Sequence, residues 1–506
     1  MKVVLAGYNV DKEVIDDLKR HSPPRNDVTP ETLSAAYARI SRDPRPADEL
    51  RAVARREVER ARRSNRTIIF KMGHHSVAEH AVFNFDIIGV SRLALEEIER
   101  FRLCSYTEKS QRYILLGDDF VIPEEVRKER LQRVFMKTIR AQNALYHSLY
   151  ARLKPHLFIK YKDLAQESRN HPVLEGWAKE DARYVVSLAT EGQVGLTINA
   201  RNLELLLRRF AARKSAELRE LNQRIYRLAK EVAPSIILFT EASDFDARTY
   251  GELEDAAATL LERTRGRPKR ESRAVRKDEE SVSLADATPG GDDRILAAIL
   301  HTSGSTPYEQ GLRRVRWMTP AEKRDLIKTA IRRQEFYDFP LREFEYADLT
   351  FSLIVSASCF AQLKRHRMAT LTCQRYDPSL GVTVPPAVGE VGALPEFRRM
   401  AAQTEETHAR LQKKIGPEAA AYVLMNAHRR RVLFKVNVRE LYHISRLRED
   451  PTAQWEIREV AGRMSALARK EMPFSGLLLG GKEQYPSLYR KVFGKEPGLS
   501  PPKLLK

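Results

Sequence analysis

Arg100-Phe101-Arg102-Leu103-Cys104-Ser105-Tyr106-Thr107-Glu108-Lys109-Ser110-Gln111-Arg112-Tyr113 is answered later in the chain by Arg365-His366-Arg367-Met368-Ala369-Thr370-Leu371-Thr372-Cys373-Gln374-Arg375-Tyr376. Each stretch opens Arg-x-Arg and closes Gln-Arg-Tyr. Guanidinium groups at this density suit phosphate, because planar forks give bidentate, charge-assisted hydrogen bonds. The repetition reads the chain as two copies of one module.

The likeness extends outward from these stretches. Phe83, Phe85 and Ile87 alternate with Asn84 and Asp86; Leu349, Phe351, Leu353 and Val355 alternate with Thr350 and Ser352. Period-two alternation predicts a half-buried strand in each copy. Ser91 and Ser356 follow, placed to cap the next helix. Further on, Asn199-Ala200-Arg201-Asn202-Leu203 and Asn437-Val438-Arg439-Glu440-Leu441 each open an amphipathic helical pattern. The triplets Glu217-Leu218-Arg219 and Glu456-Ile457-Arg458 complete the series. The period is far too long for a solenoid. The expected organisation is a first module over 1–242, a charged linker over 243–293 and a second module over 294–506. The linker carries a basic run, Arg263 to Glu271, of solvated composition. Amphipathic stretches at 123–153 and 313–333 are expected to pack as helices.

The chain has 506 residues, 42% hydrophobic, with no apolar run near the about 20 residues of a membrane span. Its start reads as a strand rather than a leader, which favours a cytoplasmic location. Cys104, Cys359 and Cys373 have neither zinc-ligand nor disulfide spacing, so a metal site is not expected and inert thiols are favoured. A formal charge of +20 suits nucleic acid or ligands bearing several phosphates. No nucleic-acid motif accompanies it, and the basic residues cluster where small phosphate ligands would sit, so a nucleic-acid partner is disfavoured.

Taken together, these motifs resemble those of the flavin-dependent thymidylate synthases. The match rests on Gly73-His74-His75-Ser76-Val77-Ala78-Glu79-His80, on Glu108-Lys109-Ser110-Gln111-Arg112-Tyr113, on Gln362-Leu363-Lys364-Arg365-His366-Arg367, and on Asn437 through Ala453-Gln454-Trp455-Glu456-Ile457-Arg458. The resemblance implies an α+β fold, a sheet flanked by helices, occurring here as two copies that form a pseudo-dimer. It also implies conversion of dUMP to dTMP, with methylenetetrahydrofolate as carbon donor and FAD reduced by NADPH. The family's sites lie between subunits of a tetramer, so two chains, a homodimer of four modules, would rebuild the assembly. Glu108, Ser110, Arg112, Arg183, Gln362 and Arg365 resemble substrate residues. His74, Ser76, Glu79, Arg100, Arg102, Arg365, His366, Arg367, Asn437, Arg439 and His443 resemble cofactor residues. Arg448 takes the place of the arginine that would stabilise charge developing on the pyrimidine. Under a one-residue gap, Arg209 takes that place in the first module.

Neither module keeps the whole pattern. The first has Phe101 where the second has His366, Glu97 where the family has glutamine, and Leu205 where the second has His443. The second lacks the Gly-His-x-Ser motif, has Ala421 in place of Arg183, and has a loop two residues shorter. The losses are largely complementary. A composite site is therefore expected, with Glu108, Ser110 and Arg112 from the first module and Gln362, Arg365, His366, Arg367 and Arg448 from the second. The same substitutions suit a degenerate relative that binds flavin or nucleotide without turnover.

Overall fold

The computed structural model describes residues 1–23, 25–264 and 280–501. Each module is built on a four-stranded antiparallel sheet, in the orders β1-β2-β4-β3 and β5-β6-β8-β7. The strands are β1 (Lys2–Tyr8), β2 (Val82–Ser91), β3 (Ser105–Glu108) and β4 (Glu191–Asn199), then β5 (Val282–Ala287), β6 (Asp348–Ser356), β7 (Thr370–Cys373) and β8 (Arg429–Asn437). The predicted alternation is present. Phe83, Phe85 and Ile87 are buried along β2, while Asn84 and Asp86 face solvent. Leu349, Phe351, Leu353 and Val355 line the buried face of β6.

The helices that position the site follow these strands. In the first module they are α1 (Arg92–Ile98), α2 (Gln132–Lys160), α3 (His171–Ala182), α4 (Ala200–Ala211) and α5 (Ala216–Val232). A further helix, α6 (Asp244–Thr264), lies between the modules. The second module supplies α7 (Ala357–Leu363), α8 (Leu394–Ala420), α9 (Val438–Arg448) and α10 (Trp455–Glu471). Ser91 and Ser356 cap α1 and α7, accepting from Ala94 N at 2.9 Å and Cys359 N at 3.1 Å. Asn199 and Asn437 cap α4 and α9 in the same manner. Helix α8 is kinked at Gly416, whose φ of 76° lies in the left-handed region that glycine tolerates. The two amphipathic stretches are helical: α2 covers most of the first, and the second forms helices Tyr308–Trp317 and Pro320–Ile331.

The modules meet about a pseudo-twofold axis. Leu188 N donates to Leu424 O at 2.8 Å, and Asn426 N donates to Val186 O at 2.9 Å, around a bridge between Ser187 and Met425. Helices α2 and α8 touch through Thr138 and Thr407, whose hydroxyls lie 2.9 Å apart. Two reciprocal buried triads join the halves. Glu217 accepts from Ser91 N and Oγ and from Tyr422 of the other module. Glu456 accepts from Ser356 N and Oγ and from Tyr184. Residue i meeting j while j meets i is the signature of an isologous contact. The apolar core continues across it, with Tyr146, Leu149 and Leu153 clustered with Val388, Phe397 and Ala401.

The expected boundaries need correction. Residues 243–293 are not linker throughout, since they hold α6 and β5. Strand β5 pairs with β6 in the register Leu284 to Phe351, so the second module begins before residue 294. The basic run at 263–271 falls largely outside the described residues.

Candidate active site

The loop after β3 crosses to the second module. Ser110 Oγ accepts from Arg112 N at 3.1 Å, which curls the loop and brings the hydroxyl beside the fork. Arg112 reaches Glu180 on α3 through Nε, and its Nη2 donates to Thr452 O of the other module at 3.0 Å. Arg183 follows α3 and is buried, with Nε and Nη2 lacking hydrogen-bond partners among the described residues. Asn426 of the second module closes the floor, donating to Gln111 Oε1 at 3.1 Å and to Arg183 O at 3.0 Å.

The opposite wall comes from α7, the Arg365-His366-Arg367 turn and the end of α9. Arg448 Nε donates to His366 Nε2 at 2.9 Å, and Arg448 Nη2 donates to Gln362 O at 3.3 Å. Gln362 is buried and its Oε1 lacks a partner. Arg365 spans the cleft to Glu108 at 3.1 Å. Burial would raise the Glu108 carboxyl, but Arg92, Lys364 and Arg365 outweigh it and hold it at about 2. Lys364 and Glu99 add a buried bridge between the modules at 2.9 Å. Glu108 is thus occupied as an anchor for Arg365.

Four guanidinium groups, those of Arg112, Arg183, Arg365 and Arg448, converge here, and among the described residues only the carboxylates of Glu180 and Glu108 are paired to them. Burial, with Arg365 and Arg112 close by, pushes Arg448 down to about 10. Burial likewise lowers Arg183. Crowded cations with unmatched donors create a strongly positive, partly desolvated cleft, the environment in which an anion binds best.

Histidine 366 accepts from Arg448 through Nε2, so its proton sits on Nδ1, which faces Glu440 Oε1 at 3.6 Å. Burial and the Arg448 cation keep the ring neutral. His366, Glu440 and His443 place ligand atoms within 4.8 Å of one another. With one nitrogen of His366 engaged by Arg448 and the other protonated, His366 has no free lone pair to offer a cation in this arrangement. Asn437 caps α9, and Arg439 on its first turn pairs with Glu345 at 3.3 Å.

The remaining candidates lie elsewhere. His74, Ser76 and Glu79 are exposed on the first module. Glu79 pairs with Arg201 on α4, and His74 lies 3.5 Å from Arg42. The contacts of His74 and Glu79 are therefore with residues of the first module itself. Arg100 pairs with Glu97 at 3.0 Å. Arg102 and Arg367 meet one another's turns, Arg367 Nη1 reaching Arg102 O at 3.4 Å. Counted from the capping asparagines, the residue matching Arg448 is Phe210, not Arg209. Phe210 is buried against Phe101, their ring centroids 5.8 Å apart. Arg209 is one position further round the helix and is held by Asp246 at 2.8 Å. The gap assumed for Arg209 is absent, because α4 runs unbroken from Asn199.

Several residues in the cleft were given no site role from the sequence. Gln454 caps α10 and donates to Tyr184 at 2.6 Å. Trp455 donates to Asp181 at 3.0 Å and stacks on Tyr184. Gln454 was legible as part of a motif; Tyr184 and Asn426 had no local signal because their partners lie in the other module, and Glu180 had none because Arg112 is 68 residues away along the chain. The three cysteines are free, and burial raises each thiol, in keeping with inert residues.

The fold is a two-module α+β arrangement that gathers Arg112, Arg183, Arg365 and Arg448 where its halves meet. The family model described as thymidylate synthase complementing protein matches residues 26–235 and again 283–474, and the chain belongs to this family. Curated relatives include the flavin-dependent thymidylate synthase of Geobacter sulfurreducens, 35% identical over 33% of this chain and 65% of that one. That of Clostridium tetani is 32% identical over 35% of this chain and 69% of that one. The chain thus spans about two thirds of the length of these two relatives. The UPF0159 protein Ta1429 of Thermoplasma acidophilum is 23% identical over 85% of this chain and 91% of its own. Among solved structures, the flavin dependent thymidylate synthase ThyX from Helicobacter pylori complexed with FAD and dUMP is 15% identical, covering 47% of this chain and 100% of that one, with a TM-score of 0.31. The UMP/dUMP methylase PolB from Streptomyces cacaoi bound with 5-Br dUMP is 21% identical over 38% of this chain and 92% of that one, with a TM-score of 0.32. No helix among the described residues is long and apolar enough to cross a membrane.

Proposed function

We propose that the chain is a flavin-dependent thymidylate synthase with one composite cleft, converting dUMP to dTMP with methylenetetrahydrofolate and NADPH as co-substrates. The observation that carries this reading is the charge count in the cleft. Four arginines face two carboxylates, an excess that suits the charge of about −2 on a phosphate monoester at neutral pH. The phosphate is assigned to Ser110, Arg112 and Arg183, and the support is the pair of buried, unpartnered donors on Arg183. The pyrimidine is assigned to Arg448, which would stabilise negative charge developing on a base oxygen.

FAD is assigned to Gln362, Arg365, Arg367, Asn437, Arg439 and His443. The fit rests on the unpartnered Gln362 Oε1 and on the exposed forks of Arg365 and Arg367, which suit a pyrophosphate. When bound, the flavin would supply the reducing equivalents; the chain's residues bind, orient and neutralise charge. A homodimer, giving four modules, is part of the same proposal.

A second reading is supported by the position of His74, Ser76 and Glu79, which are tied to their own module. The chain would then bind flavin or nucleotide without turnover. The test is to purify the protein, record its flavin absorbance, and assay dTMP after adding NADPH, dUMP and methylenetetrahydrofolate. Formation of dTMP supports the first reading. A yellow protein that binds dUMP but makes no dTMP supports the second. A protein that binds neither defeats both.

A further inference from the structure

We propose that the second cleft, related to the first by the pseudo-twofold axis, has become a docking site for an acidic helix, and that α6 of the same chain is its occupant. The argument starts from what the second cleft has lost. Its counterpart of the His366–Arg448 pair is the apolar pair Phe101–Phe210. Its counterpart of the Ser110 loop is the turn after β7, where Gln374 N donates to Arg431 O at 2.9 Å, as Lys109 N does to Gln193 O. Tyr376 on this turn is turned inward and donates to Glu96 at 2.8 Å, beneath the guanidinium of Arg430. The interior is therefore filled by the chain's own side chains.

Cations remain on its rim, and α6 takes them up. Asp246 lies 3.0 Å from Arg208 and 2.8 Å from Arg209, at the end of α4. Glu254 lies 3.0 Å from Arg375 on the turn after β7. The two carboxylates are separated by about 12 Å of helix. They therefore join a first-module arginine pair to a second-module arginine across the mouth of the cleft. Helix α6 suits this role by composition, with six carboxylates and two arginines between Asp244 and Thr264. Packing does not hold it. Asp246 is its one buried side chain among those described, and residues 251–261 are all exposed. Tethering falls to the ion pairs.

The count of nucleotide sites rests on the proposed function, whereas the tethering of α6 does not. The test therefore has two arms on the full chain. In the first, trypsin cleavage at Arg248 is timed at low salt and at 1 M NaCl, for the wild type, for D246N/E254Q and for Arg375→Ala. We expect both variants to be cut about 5-fold faster at low salt, since the exposed Glu254–Arg375 pair and the partly buried Asp246 pairs act together here. We expect 1 M NaCl to bring the wild type up to Arg375→Ala, whose lost pair is exposed, and only part of the way to D246N/E254Q. Equal rates overturn the proposal. So does acceleration in D246N/E254Q alone, which would mark a local effect on the helix. In the second arm, dUMP is titrated calorimetrically into the wild type. Saturation at one per chain agrees with an occupied second cleft, and two equivalent sites overturn it. Absence of any dUMP binding defeats the proposed function, while the trypsin arm still decides the docking of α6.

Discussion

Arg448 donates to His366 across 2.9 Å in the second module, and the matching positions of the first module place Phe210 against Phe101. One half thus carries a polar pair on the cleft wall and the other an apolar pair in its core. A buried guanidinium needs an acceptor, and a neutral imidazole provides it; two phenyl rings need only contact. This exchange distinguishes the two pseudo-symmetric halves of the interface.

Arg448 is held in an unfavourable field, with burial, Arg365 and Arg112 pushing it down to about 10. Arg448→Met should therefore leave unfolding free energy unchanged or raised, because a crowded cation is removed. The same change should lower dUMP-dependent turnover about 100-fold or more, the cost of losing one charge-stabilising donor. Denaturant titration and initial-rate assays read the two effects. A variant both destabilised and fully active would contradict the assignment.

Phe210→Arg is the converse experiment. Phe210 is buried in an apolar cluster with Leu206, Leu207 and Ile98, and the nearby Glu97 is already paired with Arg213 and Arg100. Inserting arginine should cost at least about 3 kcal/mol, by loss of the aromatic contact and burial of an unpaired cation. It should create no second dUMP site. A stable variant with doubled binding capacity would show that the first module's wall is still competent.

The reciprocal triads predict matched losses. Glu456→Ala strands Tyr184 Oη and the Ser356 amide and hydroxyl inside the interface. Glu217→Ala strands Tyr422 Oη and the Ser91 groups. Each should destabilise by about 3 kcal/mol, the penalty of several buried polar groups losing one acceptor. Each should also lower the unfolding transition as a single step, since the triads couple both halves. Unfolding of one module alone, by calorimetry, would argue against that coupling.

Asp181 supplies the pH dependence. Burial, reinforced by Glu180, raises its carboxyl from 3.8 to about 8. The folded state then binds a proton that the unfolded chain releases, so stability declines as pH rises from about 4 towards 8. Asp181→Asn keeps an acceptor for Trp455 and abolishes the titration. The variant should match the wild type near pH 4 and be the more stable protein at pH 8. Denaturation midpoints that run parallel across this range would show that Asp181 is ionised in the folded protein.

The two-module plan was legible because its signals are local. Alternation along β2 and β6 reports which strand face is buried, and Ser91, Ser356, Asn199 and Asn437 mark helix starts through bonds to residues three along. The arginine spacings likewise suggested an anion site, and complementary losses suggested that Arg112 of one module meets Arg448 of the other, whose guanidinium groups do lie close together. Tertiary structure alone decided how those charges are spent. Glu108 is locked to Arg365 by burial beside Arg92 and Lys364. Arg209 is claimed by Asp246 from a segment expected to be linker. Phe210, not its neighbour, faces the position that matters. Helix and strand formation depend on residues a few positions apart, whereas the partner of a charge depends on which distant segments the fold brings within a few ångströms.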